Sequence, residues 1–110
     1  MSGLEDFQER RFVGALRALV ELLRHHDVEK WAAWFEGDLA DYLAAQGPPR
    51  QIARQRAVVE HVLVAFGGMS TFRRLDLPQP EANKRLEFLK TQLWASARSL
   101  QGFLASEGTG

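Results

Sequence analysis

Apolar residues recur every three or four positions in four stretches of the chain, which is the period of one face of an α-helix. The predicted helices span residues 4–26, 28–45, 49–66 and 80–104. No stretch alternates apolar and polar residues for long enough to predict a strand. Tight connections after the first two helices favour antiparallel neighbours. The pattern therefore predicts an all-α fold, an antiparallel four-helix bundle with an ordered Gly-Gly loop between helices 3 and 4.

Each predicted helix has an apolar stripe that should face the core. In chain order the stripes are Leu4, Phe7, Phe12, Leu16, Leu19 and Leu23; Trp31, Trp34, Phe35, Leu39, Tyr42 and Leu43; Ile52, Val59, Val62, Leu63 and Phe66; and Leu86, Leu89, Leu93, Ala97, Leu100 and Leu104. Ser2 and Asp27 are the predicted N-caps of the first two helices. Pro49 suits the first position of the third helix, because proline lacks the N–H that this position leaves unpaired.

Two adjacent glycines, Gly67 and Gly68, follow the third helix. We predict that Gly68 takes the left-handed conformation of a Schellman motif, with Met69 contacting the helix and Phe72 covering the bundle end. A phosphate-binding loop is the alternative, but no strand precedes the glycines and no Gly-Lys-Ser/Thr sequence follows them. Residues 71–77 are predicted to be an ordered loop packed on the bundle, with room for a short helical turn.

The length of 110 residues predicts one domain, with a core over about residues 4–104 and a frayed tail over residues 105–110. The absence of cysteine excludes a disulfide scaffold and fits a reducing cytoplasm. No apolar run approaches the ~18 residues that a membrane span needs. The N-terminal segment lacks the apolar stretch of a signal peptide. These features predict a cytoplasmic protein that does not associate with a membrane.

The net charge is zero, but the charges are unevenly placed along the chain. Residues 1–46 contain five Lys/Arg and nine Asp/Glu, a net charge of −4, and residues 47–110 contain nine and five, a net charge of +4. Either the two halves pack against each other, or the surface is polarised and steers a charged partner. The sequence pI of about 6.8 argues against nucleic acid as that partner.

Neither a catalytic nor a metal-binding motif is evident. The histidines, His25, His26 and His61, are not spaced so that two of them share one helix face as metal ligands. No carboxylate lies in an evidently apolar context, so the acids of the second helix are expected to form a solvated face. No Ser-His-Asp or Cys-His set can be proposed from local sequence. We therefore predict a protein that is not an enzyme and uses neither a cofactor nor a metal.

Aromatic and acidic residues of the second helix form a candidate surface for a basic protein partner, because exposed aromatic side chains beside charges are typical of interfaces. The alternative is a small anionic ligand or a nucleic acid bound by arginines around the third helix. Arg50, Arg54 and Arg56 open that helix, where cations are unfavourable, and the acids of the second helix should offset them. The candidate binding residues are Trp34, Glu36, Asp38, Asp41, Met69, Arg73 and Arg74.

The order Trp31-Ala-Ala-Trp34-Phe35 and then Phe66-Gly-Gly-Met-Ser-Thr-Phe72 resembles a family of small bacterial helical domains of unknown function. In that family a W-x-x-W-[LF] helix precedes an F-G-G-M-G-S-[FL]-N-D-[LV] segment. The resemblance covers about residues 28–77, and the family's Asn-Asp pair falls on Arg73-Arg74 here. The resemblance implies a fold and a bacterial cytoplasmic setting, but it does not imply any reaction. Such domains are often encoded near toxin and immunity genes, which implies a non-catalytic protein-binding domain of immunity type. The sequence leaves open whether the chain forms a homodimer.

Overall fold

The computed structural model describes residues 3–68 and 70–109, with side chains through residue 106, and it is built from helices. The elements are α1 (Gly3–His25), α2 (Glu29–Gln46), α3 (Ile52–Val64), a 3₁₀ turn (Phe72–Arg74) and α4 (Pro80–Thr109). The described residues contain no strand. The predicted all-α fold is confirmed, and the short helical turn falls within residues 71–77, as the sequence allowed.

Each of the four helices packs against two others, and together they form a compact bundle. Helix α1 contacts α2 and α4, and α3 contacts the same two helices. The core takes side chains from all four helices and from Phe72 and Leu77 of the last connection. Every residue of the predicted stripe of α4 is buried. The antiparallel direction of the neighbours stays a prediction.

The apolar stripe of α1 differs from the prediction in its first two turns. Leu4 and Phe7 are 60% and 52% exposed, so their assignment to the core is wrong. Glu5 is buried instead, because it lies seven residues before the buried Phe12 and two turns of helix return it to nearly the same face. The guanidinium of Arg50 lies 2.8 Å from the Glu5 carboxylate and compensates its charge.

Helix α3 begins later than predicted, and Arg50 precedes it. The helix starts at Ile52, so Pro49 is not its first residue. The backbone N–H of Gln51 donates to the carbonyl of Ala45 (3.0 Å), which keeps the chain close to the end of α2 while Arg50 turns towards Glu5. Residues 47–51 therefore close the connection between α2 and α3.

A Schellman motif is present, but it ends α1. The N–H of Val28 donates to the carbonyl of Leu23 (2.8 Å), and the N–H of Asp27 donates to that of Arg24 (3.1 Å). Asp27 has a φ of 60°, the left-handed conformation that this motif requires and that aspartate tolerates. The prediction that Asp27 caps α2 is wrong: the N-cap position of α2 is Val28, with no side-chain cap. The predicted cap Ser2 lies outside the described residues.

Helix α3 ends without a left-handed glycine. Neither Gly67 nor Gly68 has a positive φ, so the predicted Schellman motif at Gly68 is wrong, and Met69 lies outside the described residues. The helix tightens instead: the N–H groups of Ala65, Phe66 and Gly67 each donate to the carbonyl three residues earlier. These 3₁₀-type bonds satisfy the last carbonyls of the helix in place of a left-handed cap.

The far end of α4 also differs from the prediction. The helix continues to Thr109, five residues beyond the predicted end at Leu104. Fraying of the tail concerns motion and stays a prediction.

The tightened end of α3 predicts that the two glycines differ in their tolerance of alanine. A Cβ on Gly67 would meet the Val64 carbonyl oxygen at 3.2 Å, whereas a Cβ on Gly68 would meet nothing within 4 Å. We expect Gly67→Ala to lower the free energy of unfolding by about 1 kcal/mol through this overpacking. Gly68→Ala should change it by less than about 0.5 kcal/mol. Urea denaturation of both variants tests this, and a larger loss in Gly68→Ala would contradict the described helix end.

Candidate functional site

A mostly apolar groove of about 710 Å³ lies between the start of α2 and the end of α3, and we name it the tryptophan groove. It is lined by Lys30, Trp31 and Trp34 from α2, by Val64 and Ala65, and by Gly67, Gly68, Ser70 and Thr71 of the following connection. The groove thus joins the two segments of the sequence that carry the family resemblance.

Trp31 and Trp34 each place one part of the indole in the core and another in the groove. They lie three residues apart on α2, and their ring centroids are 5.3 Å apart in an edge-to-face arrangement. Both are half-buried against the core cluster. The sequence pattern placed both tryptophans in the apolar stripe of α2 and also predicted an exposed aromatic surface on this helix, and in the structure each tryptophan is partly buried and partly exposed.

Phe72 anchors the wall of the groove that the last connection supplies. Its side chain is fully buried, and its ring centroid lies 5.3 Å from Trp31, 4.8 Å from Phe35 and 5.5 Å from Phe66. The Phe72 N–H donates to the hydroxyl of Ser70 (3.1 Å), which fixes the turn that leads into the ring. The aromatic cluster therefore determines where residues 70–72 lie.

Lys90 of α4 holds the same connection from the other side. Its ammonium donates to the carbonyls of Arg73 (3.2 Å) and Leu75 (2.6 Å) and to the Glu87 carboxylate (3.0 Å). An ammonium has three donors, so these contacts satisfy it, although the residue is only 6% exposed. The sequence analysis missed Lys90. The signal was its position four residues after Leu86 and three before Leu93, on the buried stripe of α4.

Asp38 and His61 form a pair between α2 and α3. Oδ1 of Asp38 lies 2.6 Å from Nδ1 of His61, and the imidazole stacks on the indole of Trp34 with centroids 4.0 Å apart. Asp38 is only 4% exposed, so the expectation that it belongs to a solvated face is wrong. The signal was again spacing: Asp38 lies three residues after the buried Phe35 and four before the buried Tyr42, on one helix face.

Burial makes the ionised form of Asp38 costly. It raises the pKa of this carboxyl from 3.8 to about 6, and the contact with His61 offsets only part of the effect. The second oxygen, Oδ2, is buried and has no hydrogen-bond partner among the described residues. Perturbed carboxyl groups of this kind concentrate at functional sites, because structure alone gains nothing from an unpartnered buried oxygen.

A smaller depression of about 270 Å³ lies on the other side of His61, and we name it the acidic cleft. It is lined by Asp38, Asp41, Arg54, Ala57, Val58 and His61. Trp34 lines the groove, while His61, stacked on it, lines the cleft. The two depressions are therefore neighbours across the Trp34–His61 stack.

The other predicted binding residues are dispersed. Glu36 forms a two-point ion pair with Arg24 of α1 at 2.8 and 2.9 Å, and Asp41 lies 3.6 Å from Arg54. Arg73 lines a separate depression of about 400 Å³ beside α4, and the exposed Arg74 lines none of the three. Met69 lies outside the described residues. Of the predicted set, the structure brings Trp34, Asp38 and Asp41 together, through His61.

The arginines at the start of α3 are engaged within the protein. Arg50 pairs with Glu5 of α1, Arg54 with Asp41 of α2, and Arg56 with Glu60 one helical turn later. As predicted, an acid of α2 compensates Arg54, whereas Arg50 pairs with an acid of α1 and Arg56 with an acid of its own helix. The pairs Glu5–Arg50 and Asp41–Arg54 each join the acidic half of the chain to the basic half.

Within residues 3–68 and 70–109, no three His, Asp or Glu side chains converge in a way that could hold a metal ion. Each helix in this part of the chain is too short or too polar to cross a bilayer.

Comparison with known proteins adds no assignment. The chain matches no protein-family profile, no curated protein and no solved structure. The resemblance carried by residues 28–77 stays a prediction.

The raised pKa of Asp38 predicts a pH-dependent effect of Asp38→Asn. Because the folded-state pKa is the higher one, the contribution of Asp38 to stability is complete below about pH 4 and is lost as the pH rises through about 6. A shift of about two pKa units corresponds to about 3 kcal/mol. Asp38→Asn mimics the neutral form, so we expect it to raise the free energy of unfolding by about 1–3 kcal/mol at pH 7.5.

Urea denaturation at pH 4.5 and pH 7.5 measures this effect, with Asp41→Asn as the control. The Asp41 side chain is 59% exposed, and its substitution should have little effect at either pH. A stabilisation by Asp38→Asn that shrinks at pH 4.5 is the expected result. A loss of stability at pH 7.5 would show that the His61 contact outweighs the cost of burying the charge.

Proposed function

We propose that this chain is a protein-binding domain without catalytic activity, and that its partner docks in the tryptophan groove. The observation that carries the proposal is the groove itself: two half-buried tryptophans and Val64, which is 63% exposed, surround an open, mostly apolar depression. Tryptophans that offer one face to solvent and fix the other in a core are preorganised anchors of the kind that dominate binding energies.

The expected occupant is an apolar side chain, or a short segment with one, on the surface of a partner protein. The groove offers hydroxyl groups at Ser70 and Thr71 and one cation at Lys30, whose Nζ lies 5.6 Å from the Trp31 ring. An apolar anchor would therefore be flanked by polar groups able to bond the partner's backbone, the usual arrangement of a core with a polar rim.

Binding without catalysis is favoured by the surroundings of His61. Within the described residues the hydrogen-bond partner of this imidazole is Asp38, and no hydroxyl group is bonded to it. An Asp–His pair needs a nucleophile or a bound substrate in reach before it can act as a general base. The finer form of the proposal, which rests on the family resemblance, is a bacterial immunity-type inhibitor that blocks a cytoplasmic partner by docking.

An anionic ligand or a nucleic acid bound by the arginines is the less favoured function. Arg50 is compensated by the buried carboxylate of Glu5, and release from that pair would oppose ligand binding. The long, exposed pairs of Arg54 and Arg56 with carboxylates of the chain lower the positive charge that a ligand would meet. Arg73 and Arg74 form no ion pair with the described residues, but two exposed arginines make a weak electrostatic footprint for a nucleic acid.

The proposal predicts that a charge placed in the groove abolishes binding. In Val64→Asp a carboxylate replaces an exposed methyl surface at the groove rim, and its burial against an apolar partner should weaken binding by at least about 2 kcal/mol, roughly 30-fold. Phe88→Asp is the matched control, because Phe88 is also about half exposed but lies on α4 away from the groove lining.

The measurement uses the wild type and both variants as parallel baits in the source cell, followed by titration with the purified captured protein. A protein retained by wild type and by Phe88→Asp but lost with Val64→Asp supports the proposal. Retention by all three baits, a nucleic acid as the retained species, or self-association that Val64→Asp disrupts would each contradict it. Circular dichroism and thermal unfolding confirm that the variants are folded.

A further inference from the structure

One carboxylate oxygen of a residue that lines the acidic cleft is buried and has no hydrogen-bond partner among the described residues. Asp38 Oδ1 contacts His61, whereas Oδ2 has no partner among the described residues, and the whole side chain is only 6% exposed. The side chain forms part of the cleft lining together with the carboxylate of Asp41. Two carboxylates therefore line a depression with apolar sides at Ala57 and Val58, and the buried one has a partner at only one of its two oxygens among the described residues.

We propose that the acidic cleft is a receptor for a cationic side chain, the guanidinium of an arginine that the docking partner carries beside its apolar anchor. This inference rests on the proposed function, because the cleft and the tryptophan groove are neighbours across the Trp34–His61 stack. The partner's arginine would pair with Asp38 and Asp41 while its apolar residue occupies the groove.

The chain's own Arg54 shows that the cleft accommodates a guanidinium. Its Nη2 lies 3.6 Å from Asp41 Oδ1, and both side chains are about half exposed. That pair is long and solvated, so it stabilises little and can be exchanged for another cation. A planar guanidinium presents its donors in a fixed fork, so it can bond two carboxylates while its flat face stacks on an imidazole, and an ammonium has no such face. The imidazole of His61 supplies such a face at the cleft wall.

The charges around Asp38 determine how pH affects the cleft. The groups that face it are Asp41 on α2 and His61 and Arg54 on α3. On α1, the charged groups that contact α2, Arg24 and Glu9, are engaged with Glu36 and Tyr42. A cation in the cleft stabilises the ionised Asp38, so binding and proton release are linked and affinity rises as the pH rises through about 6.

Contact with Oδ2 requires a local shift, because this oxygen is covered in the free protein. The backbone around His61 is helical and therefore fixed, whereas the His61 side chain is half exposed and can move. A guanidinium that approaches Oδ2 would therefore disturb the stacking of His61 on Trp34. The indole signal of Trp34 reports this change without a partner protein.

The test titrates N-acetyl-arginine amide into the full chain at constant ionic strength and follows the backbone, His61 and Trp34 signals by NMR. N-acetyl-citrulline amide, a neutral isostere, is the control ligand. We expect the arginine probe alone to shift Asp38, His61 and Trp34. Its affinity should be about tenfold higher at pH 7.5 than at pH 5, the ratio expected if it binds only the ionised Asp38 with a pKa of about 6.

Two variants make the test specific. Asp38→Asn should abolish the pH dependence and most of the binding, and Arg54→Gln should strengthen binding by removing the internal competitor. Equal shifts from arginine and citrulline, or no shift of the cleft residues at pH 7.5, would overturn the proposal. The probe does not need the groove, so it should bind Val64→Asp normally. If the arginine probe does not bind but capture of the partner depends on the groove, only the proposal for the cleft is refuted. If the probe binds but Val64→Asp still captures the partner, only the proposal for the docking groove is refuted.

Discussion

Burial of the Phe72 ring is the interaction on which the groove depends. In the described part of the connection between α3 and α4, the regular structure is one 3₁₀ turn, which begins at Phe72. The fully buried ring should contribute about 1.5–3 kcal/mol through the hydrophobic effect. Its edge contacts with Phe35 and Phe66 add about 0.5–1.5 kcal/mol each. Because Ser70 and Thr71 immediately precede this anchor, the groove wall is placed by the core and does not depend on the connection's own stability.

Charged side chains that lie in the buried stripes of this bundle are compensated by partners, and Asp38 is the exception. Glu5 and Lys90 lie on buried faces of α1 and α4, and each is compensated: Glu5 by Arg50, and Lys90 by three acceptors. Asp38 has the same kind of position but keeps one oxygen without a partner. A buried carboxylate with an unpartnered oxygen destabilises the fold, and proteins keep such destabilising groups where function requires them. This contrast distinguishes Asp38 from the buried charges that serve the fold.

The sequence predicted the fold because the apolar period of α4 and most of α1 is regular, and burial of such stripes determines helical packing. It failed where a charged residue occupied a stripe position. Asp38 was assigned to a solvated face and Lys90 was not singled out, although their spacing placed them with Phe35 and Leu86. The partner of a buried charge comes from another helix, as His61 does for Asp38, so local sequence does not identify it. Two helix ends also differ from the prediction: Asp27, predicted to cap α2, takes the left-handed conformation that ends α1, and Gly68, predicted to be left-handed, is not.

The central claim, that Phe72 anchors the groove wall to the core, is tested most directly by amide hydrogen exchange in Phe72→Ala. Leu100→Ala is the control, because Leu100 is also fully buried but lies on α4, far along the chain from the connection. We expect that amides of residues 65–77 and the Trp31 indole exchange at least about tenfold faster in Phe72→Ala, as expected for local unfolding, while α1 keeps its protection. Phe72→Leu should show the same pattern more weakly. Unchanged protection of residues 65–77 in a folded Phe72→Ala, or a loss spread evenly over all helices as in Leu100→Ala, would contradict it.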